Sequence, residues 1–200
     1  MEQRVIPLGL PADRWDRLRD DLRKALSEEG LQSVDGRLQG TSAWFFSKSP
    51  DKSFPQTPDE VLQQVEEGRN GKAALATWRD AGYERSGPRP RKHFWDSRCN
   101  LGLSRETSDY DFQLASDDLA QRFERYAAQK GIPRNDLISK KGGHYRQNYL
   151  EEVAPALFTW MDVCGRVTGR VVNIASFESS GPMGMTAFSI LDWVIEEPVR

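Results

Sequence analysis

The stretch Ser108-Asp109-Tyr110-Asp111-Phe112-Gln113-Leu114 decides how this chain reads. Polar and apolar residues alternate through it, the pattern of a β-strand with one face in a core. Residues i and i+2 of a strand share a face. Asp109 and Asp111 therefore project together, while Tyr110 and Phe112 point into the core. Two adjacent carboxylates repel unless something positive lies between them. A divalent cation with oxygen ligands meets that need, Mg2+ above all, with Mn2+ as the alternative.

Just downstream, Ser116 has the character of a helix cap, with Asp117 and Asp118 in the first turn where the helix dipole favours acids. That accounts for those two acids without a metal. Upstream, residues 11–29 carry Trp15, Leu18, Leu22, Ala25 and Leu26 at helical spacing, one apolar face of an amphipathic helix that Gly30 ends. Residues 36–46 read as a strand running into a turn. Gly40 is the anomaly there, because glycine weakens a strand and often marks a close backbone approach. Gly40-Thr41-Ser42 leaves a bare backbone beside two small hydroxyls, a turn that could hold a phosphate. Taken alone, a packing glycine is the plainer reading.

Between the two strand stretches, residues 47–93 read as a helical and basic insertion. Thr57-Pro58-Asp59-Glu60 is a helix start, with Thr57 as cap and Glu60 completing a capping box. A second helix over 72–81 turns Leu75 and Trp78 inward. Residues 85–93 are basic and broken by prolines, suited either to a phosphate-bearing partner or to plain solvation. Beyond the central strand, Lys140-Lys141-Gly142-Gly143-His144-Tyr145-Arg146 is either a phosphate- or carboxylate-binding loop or a glycine hinge with exposed charge. A helix over 148–164 bent at Pro155, a strand over 171–178 and a short strand over 192–195 complete the chain. The element order predicts an α+β fold: a small mixed sheet flanked by helices, forming a single domain with the helical insertion.

Composition narrows the class. Hydrophobic residues make up 38 % and aromatic residues 10 %, enough for a core, and a net charge of -2 does not advertise nucleic-acid binding. Cys99 and Cys164 stand too far apart in sequence for a metal-binding motif and fit a reducing, cytoplasmic setting. No apolar run suggests a signal peptide or a membrane span.

A helix, a Gly-Ser turn and then a strand bearing Asp-x-Asp is the order found in the nucleotidyltransferase superfamily typified by DNA polymerase beta. The chain resembles that family through Gly40-Thr41-Ser42 and through Asp109 and Asp111. The resemblance covers the first helix, these two motifs and the 171–177 strand. It implies that Gly40, Thr41 and Ser42 grip the triphosphate of a nucleoside triphosphate such as ATP. Asp109 and Asp111 would bind Mg2+, and a third carboxylate would stand on the neighbouring strand. Lys141, His144 and Arg146 would contact phosphates or the acceptor. Two departures accompany it. Residues 41–108 separate the turn from the carboxylate pair, a far longer interval than the family shows. Asn173 occupies the middle of the third strand, leaving Glu178 at its end as the candidate third acid.

The implied activity is Mg2+-dependent transfer of a nucleotidyl group to an acceptor hydroxyl on RNA, a nucleotide, a protein or a small molecule, alone or with a partner protein. Two alternatives stand beside it. One is a non-catalytic nucleotide- or protein-binding module on the same fold. The other is an unrelated metal-dependent phosphodiester hydrolase.

Overall fold

A computed structural model describes residues 6–45, 54–85, 94–140, 142–181 and 193–196 of the chain. The basic segment 86–93 and Lys141 lie outside the described residues. In chain order the helices are α1 (Ala12–Glu28), α2 (Thr41–Trp44), α3 (Pro58–Gln64), α4 (Gly71–Asp80), α5 (Ser97–Asn100), α6 (Asp117–Lys130), α7 (Arg134–Leu137), α8 (Leu150–Val153) and α9 (Pro155–Thr168). The strands are β1 (Asp35–Gln39), β2 (Tyr110–Ala115), β3 (Val172–Phe177) and β4 (Trp193–Glu196). The fold is α+β, with one small mixed sheet. No helix among the described residues is long and apolar enough to cross a membrane.

The chain divides into two compact units, one holding residues up to Ala43 and from Asp109 onward, the other Trp44–Ser108. The inserted unit thus reaches well past the basic segment, to the residue before Asp109. It has its own core of Phe54, Val61, Ala74, Trp78, Leu101 and Leu103. The local signals there act as expected. The Thr57 hydroxyl accepts from the Glu60 N–H at 3.2 Å, capping α3, and the buried Trp78 indole donates to the Pro55 carbonyl at 3.0 Å. At the exit, the Asp96 N–H donates to the Ser108 hydroxyl at 2.8 Å and the Ser108 N–H donates back to the Asp96 carboxylate at 2.7 Å. This reciprocal pair anchors the residue that leads into the carboxylate strand.

In the other unit the strand order is β3-β2-β1-β4. β1 runs antiparallel to β2 and β4, while β2 and β3 are parallel. Alternation along β2 sends Tyr110, Phe112 and Leu114 to a buried face. On that face the Phe112 ring stacks on Trp15 of α1, centroids 6.3 Å apart, and meets Trp160 of α9 edge-on at 5.0 Å. All five apolar positions predicted for α1 are buried. The Trp160 indole donates to the Leu18 carbonyl at 2.7 Å, locking α9 to α1.

The helix predicted over 148–164 departs from expectation at Pro155 and at its C-terminal end. Proline has no N–H to give the preceding turn, and its ring disfavours a helical residue before it. Ala154 accordingly takes φ -149 and ψ 74, and the segment splits into α8 and α9 with Pro155 in the first turn of the latter. The Glu29 carboxylate accepts from the Ala156 N–H at 2.7 Å, serving the freed N-terminus of α9, and pairs with Arg122 of α6 at 2.7 Å. Arg122 also donates to the Glu29 carbonyl. Gly165 does not begin a turn. α9 continues through it to Thr168 and ends at Gly169, whose φ of 66 is left-handed.

Candidate functional site

The sheet brings three sequence-distant positions together at one end. Antiparallel pairing sets Gln39, the last residue of β1, opposite Asp111, and parallel pairing sets Asn173 of β3 opposite Asp111 on the other side. Gln39, Asp111 and Asn173 thus lie in one row across the face that α1 and α9 leave alone. Asp109 precedes β2 by one residue and leans into the same row. The Asn173 side-chain amide donates to Asp109 at 3.0 Å and to Asp111 at 3.1 Å. One neutral N–H2 group therefore bridges two carboxylates, with its dipole standing where a cation would offset their repulsion. Both acids and the amide are half-buried.

Gly40 lies against this cluster. It has φ +78, and a Cβ built on it would come 3.0 Å from the Asp111 Oδ2. The left-handed backbone favours glycine, and a Cβ there would also press on the Asp111 carboxylate, which would have to give way slightly. What Gly40 approaches is the Asp111 side chain, the contact of a packing glycine. Thr41 opens the single turn of α2 and is half-buried. Ser42 is fully buried; its hydroxyl donates to the Gln39 carbonyl at 3.0 Å and its own carbonyl accepts from the Leu8 N–H at 3.0 Å. Ser42 holds the turn in shape, and its hydroxyl is not presented to a ligand.

The remaining site residues expected from the sequence lie elsewhere. Glu178 does not complete the cluster: it follows the last residue of β3, five positions beyond Asn173, or about 17 Å along an extended strand at roughly 3.3 Å per residue. There it is exposed and faces Arg134 at 3.8 Å. His144 packs edge-on against Phe177, centroids 6.0 Å apart, at that same far end of β3. Burial, and next the Arg146 charge, hold its imidazole below the ordinary histidine range, so it is neutral at pH 7. Arg146 is exposed. Tyr145 between them pairs with Ser176, stacks on Phe123 at 4.9 Å and donates to Glu124 at 3.1 Å. Burial first, then Glu124, pushes its hydroxyl well above the usual tyrosine range. These residues serve to close the outer edge of β3. Neither His144 nor Glu178 belongs to the Asp109–Asp111 row.

Two residues of the polar face escaped the sequence reading. Gln113 follows Asp111 by two positions on β2 and pairs with Arg37 on β1. Arg37 is held by a two-pronged ion pair to Asp35, at 2.5 and 2.9 Å. The alternation that placed Asp109 and Asp111 together already put Gln113 on their face. Arg37 needed the register.

Among the described residues no group of three or more His, Cys, Asp or Glu side chains converges as a metal site. The convergence that exists is two carboxylates and one amide. Compared with models of known protein families, with curated proteins and with solved structures, the chain matches none.

Proposed function

We propose that the sheet-bearing unit is a nucleotidyltransferase-type module, on the plan typified by DNA polymerase beta. It binds a nucleoside triphosphate with Mg2+ or Mn2+ at Asp109 and Asp111 and passes the nucleotidyl group to an acceptor hydroxyl. One observation carries this reading. Gly40 at the end of β1, the Asp pair at the start of β2 and Asn173 on the parallel neighbour meet at one end of the sheet. Gly40 and the Asp pair are positions the resemblance singles out, close together although residues 41–108 separate them, and Asn173 stands where it implies a third carboxylate.

The donor set suits a hard divalent cation. Two carboxylates converge on the point marked by the Asn173 amide, and an amide turned about its terminal bond offers its carbonyl oxygen in place of N–H2. When bound, the ion supplies charge to offset the triphosphate and lowers the pKa of an acceptor hydroxyl. The chain's own contributions are distinct from that. Asp109 and Asp111 hold the ion. Gly40 keeps a side chain away from Asp111. Ser42 fixes the turn from within, leaving Thr41 and the bare backbone as the phosphate side.

Asn173 favours a second reading, a module on the same fold that binds nucleotide without turnover. An amide supplies neither the negative charge nor the proton acceptor of a third carboxylate. Incubation with labelled nucleoside triphosphates and Mg2+ or Mn2+, alone and with RNA, nucleotide or protein acceptors, separates the readings. Transfer with release of pyrophosphate, lost in Asp109→Ala and Asp111→Ala, supports the enzyme. Calorimetric binding without transfer supports the module. Phosphodiester cleavage without transfer would instead indicate a metal-dependent hydrolase.

A further inference from the structure

Among the described residues, Phe45 and Asp96 are the non-glycine positions with a left-handed backbone. Side chains disfavour that region, and such residues gather where the surrounding structure uses the geometry they impose. Asp96, at φ 54 and ψ 11, occupies the cap position of α5, a place aspartate suits because it accepts from the first N–H groups of a helix. Its carboxylate makes no such bond. It accepts instead from the Ser108 N–H at 2.7 Å, while the Asp96 N–H donates to the Ser108 hydroxyl at 2.8 Å. What this pair controls is the peptide leading into Asp109. Asp111 lies within the ladder, paired with Gln39 on one side and Asn173 on the other. Asp109 lies outside it, because β2 begins at Tyr110, whose N–H donates to the Val171 carbonyl at 3.0 Å. The sheet therefore fixes the backbone only on the C-terminal side of Asp109. On the other side the anchor is Ser108, held by Asp96.

Resting on the metal reading above, we infer that Asp96 is a positioning residue for the divalent-cation site, setting through Ser108 the direction in which the Asp109 side chain leaves the chain. Asp96 acts through Ser108 and is not itself a ligand. A cation binds tightly where its ligands already converge, because reorganising one of them subtracts from affinity. Asp111 has the ladder to hold it in place. Asp109 has the Asn173 amide at its side chain and the Asp96–Ser108 pair at its backbone. Loss of the second lets the Asp109 carboxylate swing relative to Asp111 while the sheet itself stays intact.

Calorimetric titration of the full chain with MnCl2, alongside thermal melts, tests this. Wild type should bind Mn2+ and lose that binding in Asp109→Ala. Asp96→Gly relieves the left-handed backbone but removes the carboxylate, so it should fold and bind Mn2+ about tenfold more weakly, the scale on which outer partners of metal ligands act. Asp96→Asn tolerates the same backbone and keeps an acceptor for the Ser108 N–H, so it should stay within about threefold of wild type. Thr57→Ala removes the α3 cap in the same inserted unit and should lower the melting temperature without changing Mn2+ affinity. Unchanged affinity in Asp96→Gly overturns the positioning role and leaves the Asp109–Asp111 site standing. So does a loss in Thr57→Ala as large as that in Asp96→Gly, because the effect then follows stability alone. If Asp96→Gly does not fold, Ser108→Ala decides: it removes only the hydroxyl half of the pair, should weaken Mn2+ binding about threefold, and overturns the role if affinity is unchanged. Failure of wild type to bind Mn2+, or binding that survives Asp109→Ala, overturns the role together with the metal reading on which it rests.

Discussion

Asn173→Asp is the substitution that most directly probes the Asp109–Asp111 pair. The wild-type amide gives one hydrogen bond to each carboxylate, at 3.0 and 3.1 Å. Bonds to charged acceptors are worth about 1.5–3 kcal/mol each. The variant loses both and sets a third carboxylate about 3 Å from the other two. A unit-charge pair at that separation repels by about 5 kcal/mol at an effective dielectric constant of roughly 20, an upper figure for groups as open to water as these. Protonation of one acid or a small retreat of the side chains relieves most of it. The expected net loss without metal at pH 7 is therefore about 2–4 kcal/mol. For a chain of this size that lowers Tm by roughly 5–15 °C.

Two reversals should follow. Mutual repulsion raises the carboxyl pKa values in the folded variant, so the penalty grows as pH rises through those values and fades on acidification. A divalent cation should also restore stability, because three carboxylates bind it more tightly than two and an amide. Thermal melts of wild type and variant, at pH 5 and pH 7 with and without MgCl2 or MnCl2, read all of this. A variant as stable as wild type at pH 7 without metal, and indifferent to metal, would refute the claim that Asn173 stands in for a cation.

Gly40→Ala places a Cβ 3.0 Å from the Asp111 Oδ2 on a backbone at φ +78. It should cost about 1–2 kcal/mol from the left-handed backbone alone and weaken divalent-cation binding, as read by urea unfolding and calorimetry. Glu29→Ala removes the carboxylate shared by Arg122 and the Ala156 N–H, leaving Arg122 only the main-chain carbonyl of residue 29. It loses a charge-assisted bond and leaves the helix end uncapped, and should cost about 1–3 kcal/mol in denaturant unfolding, whereas Glu29→Gln should cost less by keeping the cap. His144 is held below its ordinary pKa when folded. As pH falls through the unfolded value the unfolded chain takes up the proton first, so stability should decline there and level off below the folded pKa. His144→Gln should flatten that slope, and the imidazole proton shifts in NMR should titrate below the range of a free histidine.

Much of the local structure was legible because it depends on near neighbours. The apolar spacing of α1, the Gly30 stop, the Thr57 cap and the Ser116 cap are interactions within one or two turns, and the structure contains each of them. The alternation in β2 fixed which side Asp109 and Asp111 face. Pro155 marked an interruption, although its outcome was two helices rather than one bent helix. The acceptor that serves the new N-terminus of α9 comes from Glu29, 127 residues before Ala156.

What the sequence determined by itself was therefore the presence of a carboxylate pair on a strand, a glycine suited to close approach, and an inserted helical segment between them. What only the tertiary structure decided was their company. Asn173 reaches Asp109 and Asp111 across separations of 64 and 62 residues. Periodicity carries no information about which strand lies beside which, or in what register. Shifting β3 by one residue would turn Asn173 to the opposite face. The same pairing that brings Asn173 in leaves Glu178 and His144 at the other end of β3, and the β1–β2 register sets Gln113 beside Arg37. Composition can supply the acids of a site, but the hydrogen-bonded ladder determines which of them meet.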